Sequence, residues 1–106
     1  MSSLPPVFTA ALVEDDGPRR LVLTGELDVA TAPALEAALA TVEPGTPVDA
    51  VGLTFCDSTG LSRLIAASRR YAEAGERLTL LPSTNLRRTI ELASIGSCFD
   101  LPDRTD

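Results

Sequence analysis

The sequence predicts an α/β domain: a mixed sheet of four to five strands flanked by helices. Three observations predict it. Apolar segments with a two-residue period alternate with segments of helical period from about residue 20 onward. Pro, Gly, Asp and Ser clusters punctuate the changes of period. At 106 residues with 44% hydrophobic content, the chain is sized for one domain with one modest core.

"VFTAALVEDDG" reads as a first strand closing in an acidic turn at Asp15, Asp16 and Gly17. "RRLVLTGELD" reads as a second, with Leu21, Leu23, Gly25 and Leu27 on one face. A hairpin is the simplest connection between them. In "TAPALEAALATV", Thr31 is the expected N-cap and Pro33 sits early enough to remove no needed hydrogen bond. Leu35, Ala38, Leu39 and Val42 give that helix its apolar stripe. "EPGTP" breaks the chain before a third strand, Val48 to Phe55.

The longest helical pattern is "TGLSRLIAASRRYAEAG". Leu61, Leu64, Ile65 and Ala72 are expected inward, Arg63, Arg69, Arg70 and Glu73 outward, with Gly75 as the C′ residue. "ERLTLLP" reads as a fourth strand. Ser83 or Asn85 then caps a last helix whose Leu86, Ile90 and Ala93 point inward, and "CFDLP" reads as a short closing strand. Apart from the opening hairpin, strands and helices alternate, which implies a partly parallel sheet with right-handed crossovers. The end segments, "MSSLPP" and "PDRTD", read as loosely held.

Composition excludes several functions. A formal net charge of −6 disfavours binding to nucleic acid or to an anionic membrane surface. There is no His, and all nine basic residues are Arg. No Ser–His–Asp triad, ordinary zinc site or P-loop lysine can be assembled. Neither metal nor cofactor is expected. Cys56 and Cys98 lack the spacing of a metal site or a disulfide framework and read as small buried residues in a reducing cytoplasm. No apolar run is long enough for a signal peptide or a membrane span.

The chemistry-bearing stretch is "CDSTGLSRLI", Cys56 to Ile65, where the third strand hands over to the long helix. In such a sheet the carboxyl ends of the strands form one rim. Glu26 and Asp28 end the second strand there, beside Asp57 and Ser58 after the third. A phospho-acceptor receiver would need a lysine that the chain lacks. A serine hydrolase would need a base beside Ser58 and a G-x-S-x-G elbow, and neither exists. A bound anion would be repelled by Asp28 and Asp57. Two readings of Ser58 remain. It is a structural cap, as Ser and Thr at helix starts mostly are, or it is a hydroxyl that another protein modifies. Phosphate there adds about −1.5 to −2 charge at a stiff helix start, enough to switch binding without catalysis by this chain.

"LTGELDVATAPALEAAL" followed by "VDAVGLTFCDSTGLSRLI" resembles the STAS domain, in its anti-sigma factor antagonist branch, over about Val7 to Leu101. The two blocks are specific together and weak apart. The resemblance implies a single STAS domain spanning the chain. It also implies a bacterial, cytoplasmic, non-enzymatic switch in transcription. Members of the branch bind an anti-sigma factor with ATP-dependent serine kinase activity and so free a sigma factor. Phosphorylation of the Ser in D-S-x-G-L, here Ser58, ends binding, and a PP2C-type phosphatase restores it. Thr59 is the rival acceptor. Asp57 is expected to shape the kinase docking site, Gly60 to let the partner approach closely, and Asp28 to contact the kinase from the same rim. A free monomer is expected. The alternative is a STAS module serving a transporter or a signalling scaffold, with a small ligand in some cases. Two departures from the family pattern stand out. Asp49-Ala50-Val51 replaces a common Asp-Leu-Ser, and Cys56 stands where a larger aliphatic is usual.

Overall fold

A computed structural model describes residues 7–15 and 17–102. Asp16 of the acidic turn and both end segments, Pro102 excepted, lie outside the described residues. The strands are β1 (Phe8–Val13), β2 (Arg20–Leu27), β3 (Val48–Cys56) and β4 (Leu80–Pro82). The helices are α1 (Ala32–Leu39), α2 (Ser58–Glu73) and α3 (Thr84–Leu92). Sheet order follows chain order. The β1–β2 pair is the antiparallel hairpin, and β2–β3 and β3–β4 are parallel. Helical crossovers α1 and α2 link the parallel pairs, as a parallel connection requires. The sheet is therefore mixed, with four strands.

One core holds the layers together. Leu21, Leu23 and Leu27 of β2 and Val48, Ala50 and Leu53 of β3 are buried against Leu35, Leu39, Leu61, Leu64, Leu86 and Ile90 of the helices. The alternation of Leu in "RLVLTGEL" produces this directly, since every second side chain of a strand faces the same way. On the opposite face Thr24, Glu26, Val51 and Phe55 are exposed.

Several expectations change. The fifth strand shrinks to a single parallel bridge between Thr79 and Asp100, preceded by a 3-10 turn at Gly96–Cys98. Phe99 is drawn into the core there, and Pro102 has no N–H to extend a ladder. The fourth strand starts at Leu80 rather than Glu76: Leu80 pairs with Val48, the first residue of β3, and of the residues before it only Thr79 bridges, to Asp100. On α2 the buried stripe is Leu61, Leu64, Ala67, Ser68 and Tyr71, while Ala72 is exposed. The phenol of Tyr71 donates to the Thr46 carbonyl at 2.7 Å, which fixes the helix rotation. On α3, Ala93 is exposed and sits at the C-cap, past the last buried residue, Ile90. Of the two proposed caps for α3, Ser83 is the one used: its hydroxyl accepts from the Leu86 N–H. The changes at Thr31 and Gly60 belong to the rim.

Candidate functional site

The carboxyl ends of β2 and β3 lie side by side. Leu27 pairs with Cys56 as the last rung of the ladder. Immediately beyond it the Asp57 N–H donates to the Leu27 carbonyl at 3.1 Å. This bond stitches the two loops, so the Asp28 and Asp57 turns are neighbours on one rim.

Each turn is built around its own aspartate. Asp57 is the N-cap of α2, its Oδ1 accepting from the Gly60 N–H at 2.9 Å. That satisfies one of the orphan donors of the first helical turn. Asp28 does a related job before α1, its Oδ1 accepting from the N–H groups of Ala30 at 3.0 Å and Thr31 at 3.1 Å. Thr31 precedes α1 as expected, but its hydroxyl does not cap the helix. It accepts from the Asp28 N–H and donates to the Glu26 carbonyl, both at 2.9 Å, and so locks the turn from within. A helical backbone conformation at Thr31 turns its side chain away from the free N–H groups that it was expected to cap.

Ser58 is the first residue of α2 and is exposed. Its hydroxyl makes no hydrogen bond to another described residue. The capping duty that would tie it down is already performed by Asp57. Thr59 is half-buried, and its carbonyl accepts from the Ser62 hydroxyl at 2.8 Å. Of the two adjacent hydroxyl residues, Ser58 is the more accessible.

Gly60 is buried, which changes the reason for a glycine there. A Cβ built on it would lie 2.6 Å from Leu27 Cγ and 3.0 Å from the Leu27 carbonyl oxygen. The absent side chain makes room for Leu27 inside the domain, not for a partner outside it. This close approach brings the α2 start down onto the end of β2.

Cys56 lies just beneath the rim, half-buried opposite Leu27. Burial, with the Asp57 carboxylate adding to it, pushes its thiol up to about 11. A protonated thiol is a poor nucleophile and a poor ligand. Among the described residues no group of three or more His, Cys, Asp or Glu side chains could hold a metal ion. Asp49, in the unusual Asp49-Ala50-Val51 stretch, accepts from the Val51 N–H and pairs with Arg20, while Ala50 is fully buried, so both serve the sheet.

The rim therefore offers an exposed alcohol on a rigid helix start, two half-buried carboxylates and the exposed Glu26. Sequence reasoning expected Asp28, Asp57, Ser58 and Thr59 on one rim, and the structure brings them together there. It missed Leu27, whose carbonyl and side chain join the two loops. The signal for it was a glycine in the first turn of an otherwise well-formed helix.

The fold is α/β, and comparison with known proteins places the family. The family model described as "Mlab, STAS domain" matches residues 10–101, and the chain belongs to the STAS domain family. It is similar to the anti-sigma-F factor antagonist RsfB of Mycobacterium tuberculosis, 29% identical over 103 residues, covering 93% of this chain and 84% of that protein. Among solved structures it resembles an anti-sigma factor antagonist from Mycobacterium paratuberculosis. That match has a TM-score of 0.79 at 27% identity, covering 99% of this chain and 93% of that one. The anti-sigma factor antagonist SpoIIAA in its unphosphorylated form shares the fold, with a TM-score of 0.61 at 22% identity over 92% of this chain and 89% of that one. No helix among the described residues is long and apolar enough to cross a membrane.

Proposed function

We propose that this STAS domain is an anti-sigma factor antagonist that works by binding and not by catalysis. It docks an anti-sigma factor on the rim of Asp28, Asp57, Ser58 and Thr59, and the sigma factor is thereby freed. The anti-sigma factor is also the kinase that ends the complex. The γ-phosphoryl group of ATP passes to Ser58 Oγ, the bond to the ADP oxygen breaks, and the hydroxyl proton goes to a base that the kinase supplies. A PP2C-type phosphatase hydrolyses the phosphoserine and restores the binding form.

The observation that carries this reading is the exposed Ser58 hydroxyl, free of internal hydrogen bonds at the first position of α2. The similarity to RsfB supports the choice of partner class. Modification costs the fold little, because Asp57 keeps the cap and the helix N-terminus favours an anion. The surface changes sharply. About −1.5 to −2 charge is added beside Asp28, Asp57 and Glu26, and a partner fitted to the neutral alcohol is expelled.

The test is binding to a purified anti-sigma factor by three forms of the domain. Ser58→Ala is expected to bind like the wild type, and Ser58→Glu to lose at least about tenfold in affinity, the scale of a charge placed inside an interface. Equal binding by all three removes the switch. No binding by the wild type removes the partner.

A further inference from the structure

Phe55 is the outlier of the rim. It is a large apolar side chain, 50% exposed, three residues before Ser58. Its exposure is imposed by the sheet. Gly25 pairs with Leu53, but the next rung joins Glu26 to Phe55, so Thr54 is an extra residue on β3. Without this bulge Phe55 would stand opposite the fully buried Leu27 and point into the core. With it, Cys56 takes the inner position and Phe55 shares the outer face with Glu26. The extra residue is supported: the Thr54 hydroxyl donates to the Gly25 carbonyl at 3.2 Å. A bulge that turns an aromatic ring outward and a small thiol inward re-aims a side chain next to a site.

The ring does not stand alone. It forms one wall of a groove of about 240 Å³, whose other side is α3, with Leu86, Asn85, Thr89 and Arg88. Arg88 is exposed and forms no ion pair among the described residues. The charge of the rim therefore reverses across Phe55. Glu26, Asp28 and Asp57 lie on the β2 and α2 side, and a free guanidinium lies on the α3 side.

We propose that this groove is the second half of the docking surface, and that it selects the partner. The partner segment that meets Ser58 seats an apolar side chain against Phe55 and sets a carboxylate on Arg88. A half-exposed aromatic flanked by charges of opposite sign is suited to anchor a segment and fix its register, since anchors of this kind concentrate binding energy and charge patterns reject wrong alignments. The inference rests on the function proposed above, which supplies the partner, but the groove itself is a separate claim.

The experiment is calorimetric titration of a purified anti-sigma factor with the unphosphorylated full chain and its variants. Phe55→Ala and Arg88→Glu are each expected to weaken binding by about tenfold or more. Arg88→Lys, which keeps the charge, should stay within about threefold, and Arg69→Glu on exposed α2 surface should match the wild type. Thermal melts of all variants should resemble the wild type, and Arg88→Glu carries the test alone if Phe55→Ala does not fold. Wild-type affinity in both Phe55→Ala and Arg88→Glu, with Ser58→Glu weakened, overturns the groove and leaves the switch standing. Failure of the wild type to bind overturns both.

Discussion

Gly60 and Leu27 pack so closely that a single methyl group on the glycine would sit 2.6 Å from Leu27 Cγ. That contact, with the Asp57–Leu27 backbone bond, sets the first turn of α2 against the end of β2. The position of Ser58 relative to Asp28 depends on it. The rim is thus a product of core packing, not of loop geometry alone.

Gly60→Ala is expected to destabilise the domain by about 1–3 kcal/mol, the usual cost of overpacking a closed interior. Leu27 is fully buried in the core cluster, so it has little room to yield. Urea denaturation of the wild type and the variant measures this directly. A change smaller than about 0.5 kcal/mol, the scale of a neutral surface substitution, would show that the contact is not tight.

Asp57 and Ser58 should separate stability from function. Asp57→Ala removes the acceptor for the Gly60 N–H and is expected to cost about 1 kcal/mol. Asp57→Asn keeps an acceptor oxygen and should cost less. Ser58→Ala should be neutral within about 0.5 kcal/mol, because the hydroxyl supports nothing inside the domain. Thermal melts of the three variants test the ranking. A Ser58→Ala loss as large as that of Asp57→Ala would make Ser58 the cap and weaken its role as a modified alcohol.

Cys56 predicts an alkaline sensitivity. Its thiol is pushed from the ordinary 9.0 to about 11 in the folded domain, by burial first and by Asp57 second. As the pH rises past 9 the unfolded chain loses this proton while the folded chain retains it. The contribution is thus fully present below pH 9 and is lost as the pH climbs towards 11. Tyr71, also shifted upward by burial against an opposing effect of Arg70, acts in the same direction. Denaturation midpoints at rising pH should therefore fall more steeply for the wild type than for Cys56→Ala, which leaves Tyr71 in place. Parallel curves would contradict the burial of the thiol. Alkylation of Cys56 should also be slow at neutral pH.

Much of this was legible in the sequence because it is local. A helix start announces itself in four residues, so Asp57, Ser58 and Gly60 stood out at once. The two-residue period of Leu21, Leu23 and Leu27 named the inner face of β2. What escaped depends on partners distant in the chain. Phe55 read only as the end of the third strand, with no sign of which way it faces, because the bulge at Thr54 is a matter of register with β2. Asp28 replaced Thr31 as the acceptor before α1 because the backbone at Thr31 is helical, which a residue type does not reveal. The fifth strand failed because Phe99 had a better place in the core than in a ladder. Gly60 was legible as special, but its reason lay in Leu27, more than thirty residues earlier.

The central claim is that negative charge on one exposed alcohol dissolves the complex. The direct measurement is to incubate the domain with a purified anti-sigma factor kinase and ATP, map the phosphate by peptide mass spectrometry, and compare the affinities of the modified and unmodified forms. The account predicts phosphate on Ser58 and an affinity lower by about a hundredfold, the upper range of coupling between a modification and a binding site. Phosphate confined to residues away from the rim, or equal affinity of the two forms, would contradict it.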